Sequence, residues 1–226
     1  MASWLVHLRV ADRILSKYRY LSHAEFIVGN IAPDSGIPNE NWTQFTPSTD
    51  ISHFKTGKHA KAEPATFIEK YLTAKQQDLY ANPIFSFYLG YLVHLITDVE
   101  WSESVYYPAK VKFAEEYEKD PEGFIWKLKK DWYDLDFLYL REHPDFRAFR
   151  LYTSAEGFKN TYIDEFSEDA FDIRRKYIVD YYQQCRVDID REFRYLTETE
   201  LNAFVDTCVK KIMVTLKEDL NMFYCM

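Results

Sequence analysis

Residues 83–101, PIFSFYLGYLVHLITDVEW, are apolar nearly all round, and this segment restricts the chain's possible folds more than any other. A helix with one apolar stripe lies at a surface, whereas one that is apolar on every face must be wrapped by other elements. Within the segment His94 and Asp98 are four residues apart, so they share one helix face, one turn apart. A carboxylate amid Phe, Leu and Ile is costly unless it is hydrogen-bonded, paired or bound to a metal. Two readings follow. The pair is a hydrogen-bonded device that stabilises the core, or it supplies two ligands to a divalent ion, because zinc and similar ions take imidazole nitrogen and carboxylate oxygen.

What surrounds this segment reads as helix. Trp4, Leu5, Leu8, Ala11, Ile14, Leu15 and Tyr18 recur at i, i+3, i+4, i+7 spacing and predict an amphipathic helix over residues 3–19, with Ser3 as N-cap. The pattern predicts further helices over 22–30, ending near Gly29 or Asn30, and over 64–80, opened by Pro64. Others are expected over 108–120, 121–141, 144–149, 154–161, 167–195 and 198–224, the last with Thr197 as N-cap. Between them, residues 31–61 hold Pro33, Gly36, Pro38, Pro47 and Gly57. A loop of that length in a compact domain is functional or disordered, and Trp42, Phe45 and Phe54 within it favour an ordered one. The chain has only 6 glycines, which argues against an all-β or Gly-rich nucleotide-binding fold. The expectation is an all-α multi-helix bundle with a long ordered loop. Residues 1–226 form one domain in this reading, with a metal-site core over 1–105 and a helical C-terminal part over 106–226.

The net charge of −8 argues against nucleic-acid backbone binding, which needs clustered Lys and Arg. Cys185, Cys208 and Cys225 are odd in number and lack CxxC spacing. Free thiols, and an N-terminus interrupted by Arg9, Asp12 and Arg13 rather than a signal peptide, point to the cytoplasm. The longest weakly polar stretch, residues 84–97, is too short to span a membrane. The aromatic content of 18% is compatible with a dimer or larger oligomer.

Other residues join His94 and Asp98 as candidates. Asp34 follows a helix end in a Pro-shaped turn, where Asp is commonly an Asx cap. His53 sits in the long loop between Ile51 and Phe54, where the chain is pulled inward. His7 lies near the buried stripe of the first helix, as a core histidine or a ligand. His23 and His59 read as surface residues, and His143 as a helix-end residue. Lys55, Lys58 and Lys61 form a modest basic cluster that attracts a phosphate or solubilises the loop. The segment 131–146, DWYDLDFLYLREHPDF, is a solvated acidic face beside an aromatic one, or else Asp131 or Asp136 closes a metal site or acts as base.

At HLRVAD, GNIAPDSG, ISHF and GYLVHLITD the chain resembles the zinc-dependent phospholipase C family, in a branch of uncharacterised cytoplasmic bacterial hydrolases. The resemblance covers residues 1–105. It implies an all-α bundle of the phospholipase C/P1 nuclease type, with metals in a cleft between helices. It also implies Asp34, His53, His94 and Asp98 as ligands of one zinc, with His7 and a bridging Asp98 on a neighbouring ion. The secreted members use a processed N-terminal Trp as a ligand, whereas Trp4 here follows Met-Ala-Ser and reads as core. A further zinc would need two more His and a Glu, and only His143 follows His94. Glu100, Glu103, Asp131, Asp134, Asp136 and Glu142 are the alternatives. One or two divalent ions are therefore expected, zinc first and iron or manganese as alternatives. The function implied is hydrolysis of a small-molecule phosphate ester, diester or monoester, by metal-activated water, with Asp34 doubling as general base. The alternative is a non-catalytic helical binding or scaffold protein that retains a structural or vestigial metal site.

Overall fold

The computed structural model describes residues 1–57, 60–77, 80–184 and 187–222. The helix at its centre is α6, Asn82–Trp101, which is buried along nearly its whole length from Ser86 onward. Four helices cover it: α1 (Trp4–Lys17), α2 (His23–Ile31), α4 (Pro64–Tyr71) and α12 (Glu198–Leu220). The fold is all-α. Among the described residues the only sheet is a two-residue antiparallel pair, β1 (Ile37–Pro38) with β2 (Phe45–Thr46), in which Ile37 faces Thr46 and Pro38 faces Phe45.

Glycine sets the closest crossing. A Cβ on Gly29 would lie 2.2 Å from the Phe87 carbonyl oxygen, and one on Gly90 would lie 2.1 Å from that of Phe26. Each helix thus uses a glycine where the other's backbone passes. Gly29 was expected near the end of the second helix, but it sits inside α2 because that contact, not a left-handed turn, requires it. The approach lets the Asn30 amide nitrogen donate to the Gly90 carbonyl at 3.3 Å.

The caps follow the sequence closely. The Ser3 hydroxyl accepts from the Val6 amide at the start of α1. Thr197 and Glu200 form a reciprocal capping box on α12. The four-residue α3 (Thr49–Ser52) and a 3₁₀ turn over Ala32–Asp34 add short elements to the long loop.

Several expected helices are shorter or broken. The run 64–80 splits into α4 and α5 (Ala74–Gln77), because Gln76 turns back to accept from the Thr73 amide at 3.0 Å and starts a new turn. The run 108–120 follows a π-helical turn (Ser102–Tyr106) and divides into α7 (Tyr107–Lys112) and α8 (Ala114–Lys119) at Phe113. The run 121–141 is α9 (Pro121–Glu142), capped by Asp120.

The helix expected at 144–149 is α10, Arg147–Ser154. No helix covers 154–161: Gly157 takes φ +74, and the Asn160 side chain bonds the backbone at Tyr162, Ile163 and Phe166 instead. The long run 167–195 is α11, Ala170–Gln184, followed past residue 186 by an irregular segment. The last helix stops at Leu220, where Asn221 adopts the left-handed conformation that ends helices. Lys58, His59, Cys185, Cys225 and residues 223–224 of the expected final helix lie outside the described residues. Cys208 is a free buried thiol, which burial pushes up to about 12.

Candidate metal centre

The five candidate residues come from four parts of the chain and meet at one point. His7 is carried by α1, Asp34 by the 3₁₀ turn after α2, His53 by the residue that ends α3, and His94 and Asp98 by α6. All three histidines are fully buried. His53 Nε2 lies 3.3 Å from His94 Nε2, 3.3 Å from Asp98 Oδ2 and 3.6 Å from Asp34 Oδ1. His94 Nε2 lies 3.7 Å from Asp98 Oδ2, and His7 Nε2 lies 3.3 Å from Asp98 Oδ1. The rings of His7 and His94 stack at 3.7 Å with 4° between their planes.

The backbone orients these rings. His94 Nδ1 is 2.8 Å from the Asn30 carbonyl. A carbonyl only accepts, so Nδ1 carries the proton and Nε2 presents its lone pair to the cluster. The glycine crossing of α2 and α6 is what brings that carbonyl within reach. His53 Nδ1 meets the Ser52 hydroxyl at 3.0 Å, and the Tyr91 hydroxyl donates to the Ser52 carbonyl at 2.5 Å. An imidazole that coordinates a metal almost always has its other nitrogen held in this way, and His94 and His53 do.

The donor chemistry fits a cation better than a hydrogen-bonded core. If His53 Nε2 is protonated, its single N–H faces three acceptors: His94 Nε2, Asp98 Oδ2 and Asp34 Oδ1. The remaining lone pairs then point at one another in a dry interior. Neither ring nitrogen of His7 makes a well-aligned hydrogen bond among the described residues, although Nε2 is close to Asp98. A buried group left in that state is costly, and bound cations would satisfy the lone pairs that face the cluster, the His7 Nε2 included. Two overlapping sets, His7–His94–Asp98 and Asp34–His53–His94, each place their ligand atoms within 4.8 Å of one another.

Electrostatics favour metal-ready protonation states. Burial drives the His94 imidazole well below its ordinary value, helped by the adjoining His7 and His53, so it stays neutral. Burial alone would raise Asp98. The positive charge of the Met1 amino group and the His53 and His7 rings outweigh it and hold Asp98 well below the usual carboxylate range. The Ala2 amide also donates to Asp98 Oδ1 at 2.9 Å.

The alternatives for a further ligand are elsewhere. Asp131 and Asp134, expected on a solvated face, are buried and clamp Arg191, at 2.7 Å and 2.6 Å. Asp136 accepts from Ser3 Oγ at 2.8 Å and from Tyr182 at 2.6 Å. Glu100 pairs with Lys211 and Glu103 with Lys61, so Lys61 is not free for a substrate. His143 ends α9, exposed and stacked on Tyr139. Glu142 and His23 are exposed. Trp4 is only partly buried and lies edge-on to Tyr177, Tyr181 and Tyr182.

A cleft of about 150 Å³ opens beside the cluster, lined in part by Trp4, Asp34, Phe45, Lys129, Tyr133 and Arg174. Of the five residues only Asp34 lines it. A larger cavity of about 480 Å³, between Val105, Lys112, Phe204 and Cys208, contains none of them, so volume alone would misplace the chemistry. Lys129 and Arg174 escaped the sequence reading. The sign for Arg174 was available: it falls three residues after Phe171 and four before Ile178, on the buried stripe of α11, where a cation is out of place.

An all-α bundle enclosing a convergent His/Asp cluster fits a metal site. The family model for zinc dependent phospholipase C matches residues 6–181, and the chain belongs to that family. The match contains all five cluster residues and extends well past the region on which the motif resemblance rests. The membership supports a metal-dependent phosphoesterase. No curated protein and no solved structure matches the chain significantly.

Proposed function

We propose that the protein hydrolyses a phosphate ester with a divalent ion, zinc first, held by Asp34, His53, His94 and Asp98. The observation that carries this reading is the convergence of the Nε2 atoms of His53 and His94 on two carboxylates in a buried interior. If a second ion is held, Asp98 would be the ligand common to both. Its Oδ1 faces His7 and its Oδ2 faces His53 and His94. His94 cannot serve both ions, because Nδ1 is committed to the Asn30 carbonyl. The second position therefore has two protein ligands, His7 and Asp98, and is the weaker one.

When bound, a zinc ion acidifies water and neutralises charge on phosphoryl oxygens. The protein's own groups do the rest. His94 is locked in the tautomer that points Nε2 inward. Asp34 is the one member of the set that lines the cleft, so its carboxylate is placed to take a proton from water as the ester is attacked. The buried rings exclude bulk solvent from the other side.

Metal content decides this reading. Purified protein should carry one to two equivalents of zinc per chain, and His94→Ala should lose the first equivalent together with hydrolysis of a phosphate-ester panel. Full occupancy and activity in His94→Ala would overturn the assignment. Failure of the unaltered protein to bind zinc on titration would favour a helical scaffold that keeps only the fold.

A further inference from the structure

Of the buried arginines other than Arg174 among the described residues, Arg175 has a carboxylate partner, whereas Arg9 reaches the Asn202 side-chain oxygen and the Tyr139 ring. Arg175 pairs with Asp172 at 2.7 Å, and Arg191 with Asp131 and Asp134. The cleft beside the metal cluster gathers two cations that have no carboxylate partner among the described residues. Arg174 is 6% exposed, and its one hydrogen bond among the described residues runs to the Gly36 carbonyl at 2.7 Å. A neutral carbonyl does not compensate a buried guanidinium, which has five donors. Across the cleft, Lys129 makes no ion pair among the described residues, and its ammonium rests over the Trp126 ring at 4.8 Å. Tyr133, one turn further along α9 and so on the same face as Lys129, has no hydrogen bond to its hydroxyl among the described residues, and it lines the same cleft. Burial lowers the Lys129 ammonium, and the Asp34 carboxylate partly opposes this, so the lysine feels the edge of the metal cluster.

We infer that Lys129, Tyr133 and Arg174 form an anion-binding wall that selects phosphate esters whose other substituent is neutral or negatively charged, and that rejects cationic headgroups such as choline. The inference rests on the reading of the cluster as a phosphoesterase site and adds its substrate class. If an ion neutralises Asp34, the wall retains two positive charges and a phenolic donor with no internal partner. An anionic substituent gains charge-assisted hydrogen bonds there. A trimethylammonium group meets like charge at close range, which is the strongest form of exclusion a small cleft can offer.

Three ligands that share a phosphate but differ in headgroup charge test this: phosphocholine, ethyl phosphate and phosphoglycolate, titrated calorimetrically into the zinc-loaded protein. Affinity should rise in that order, with roughly tenfold or more between the ends. Lys129→Glu should flatten or invert the order, and Tyr133→Phe should weaken phosphoglycolate while leaving phosphocholine unchanged. Zinc counted in each variant shows whether the metal cluster is intact, and circular dichroism shows whether the fold is. Equal affinities, tightest binding of phosphocholine, an order untouched by Lys129→Glu, or no binding of any ligand would overturn the inference. The same titrations on metal-free protein separate the two readings. A charge order that persists without zinc supports the wall even if the chain holds no metal, whereas zinc binding with no charge order leaves the centre standing and removes the wall.

Discussion

Single side chains here are governed by what burial does to charge. His94 and Asp98 are both pushed down, from different causes: burial lowers the His94 imidazole, whereas the Met1 amino group and the His53 and His7 rings lower Asp98 against burial, and each ends in the form a metal ligand needs. Asp136 shows the reverse case. Burial raises its carboxyl to about 7, although the Tyr182 and Ser3 hydroxyls and the nearby Arg9 pull it down. Its folded value lies above its unfolded one, so the unfolded chain releases the proton first as pH rises. The stability it contributes is full below about pH 4 and declines as pH rises to about 7, by on the order of 4 kcal/mol in the limit. Asp136→Asn removes the ionisation and keeps an oxygen acceptor. Thermal melts of both proteins from pH 4.5 to 8 should show the variant gaining on the parent as pH rises. Parallel curves would mean that burial does not raise the Asp136 carboxyl above its unfolded value.

At the scale of elements, the crossing of α2 and α6 matters most, because it sets the position of the Asn30 carbonyl against His94. A methyl group at Gly90 would overlap the Phe26 carbonyl, which is backbone and cannot swing aside. Gly90→Ala should destabilise the fold by on the order of 3 kcal/mol and lower zinc affinity with it, as read by urea denaturation and metal titration. Gly57→Ala is the control, since a Cβ there meets nothing within 4 Å. The glycines were visible in the sequence, but their pairing was not. A glycine near an expected helix end reads as a cap, and only the partner helix reveals a contact. The split helices have local causes that could have been read more closely, such as the Thr73–Gln76 turn-back. The acids of α9 had no such signal, because the arginine that buries Asp131 and Asp134 lies 60 and 57 positions later.

For the molecule as a whole, the cluster ties together α1, α6 and the long loop. A metal bound to the folded chain alone stabilises it by mass action, about 2.7 kcal/mol at a hundredfold excess over Kd. Chelation should therefore lower the melting temperature by roughly 5–10 °C for a chain of this size, with full recovery on adding zinc. A melting temperature indifferent to chelator would place the ion, if any, outside the cooperative core. Outside the family match, α12 closes the far side of α1 and α6: Arg9 meets Asn202 at 2.5 Å and Arg13 meets Asp206 at 2.8 Å. No described helix is long and apolar enough to cross a membrane.

The amino-acid sequence alone determined the helical class, the central helix, the N-caps of the first and last helices, and His94 and Asp98 on one face, to which the family resemblance joined His7, Asp34 and His53. Those properties are written in short spacings: an all-round apolar run, a His and an Asp one turn apart, a Ser or Thr ahead of a helix. The tertiary structure alone decided which nitrogen of His94 faces inward, which carboxylates are spent on arginines, and which cations lack a carboxylate partner among the described residues. Each of these depends on groups brought together from distant parts of the chain, and a buried charge reveals its role only when its neighbours, or their absence among the described residues, are known.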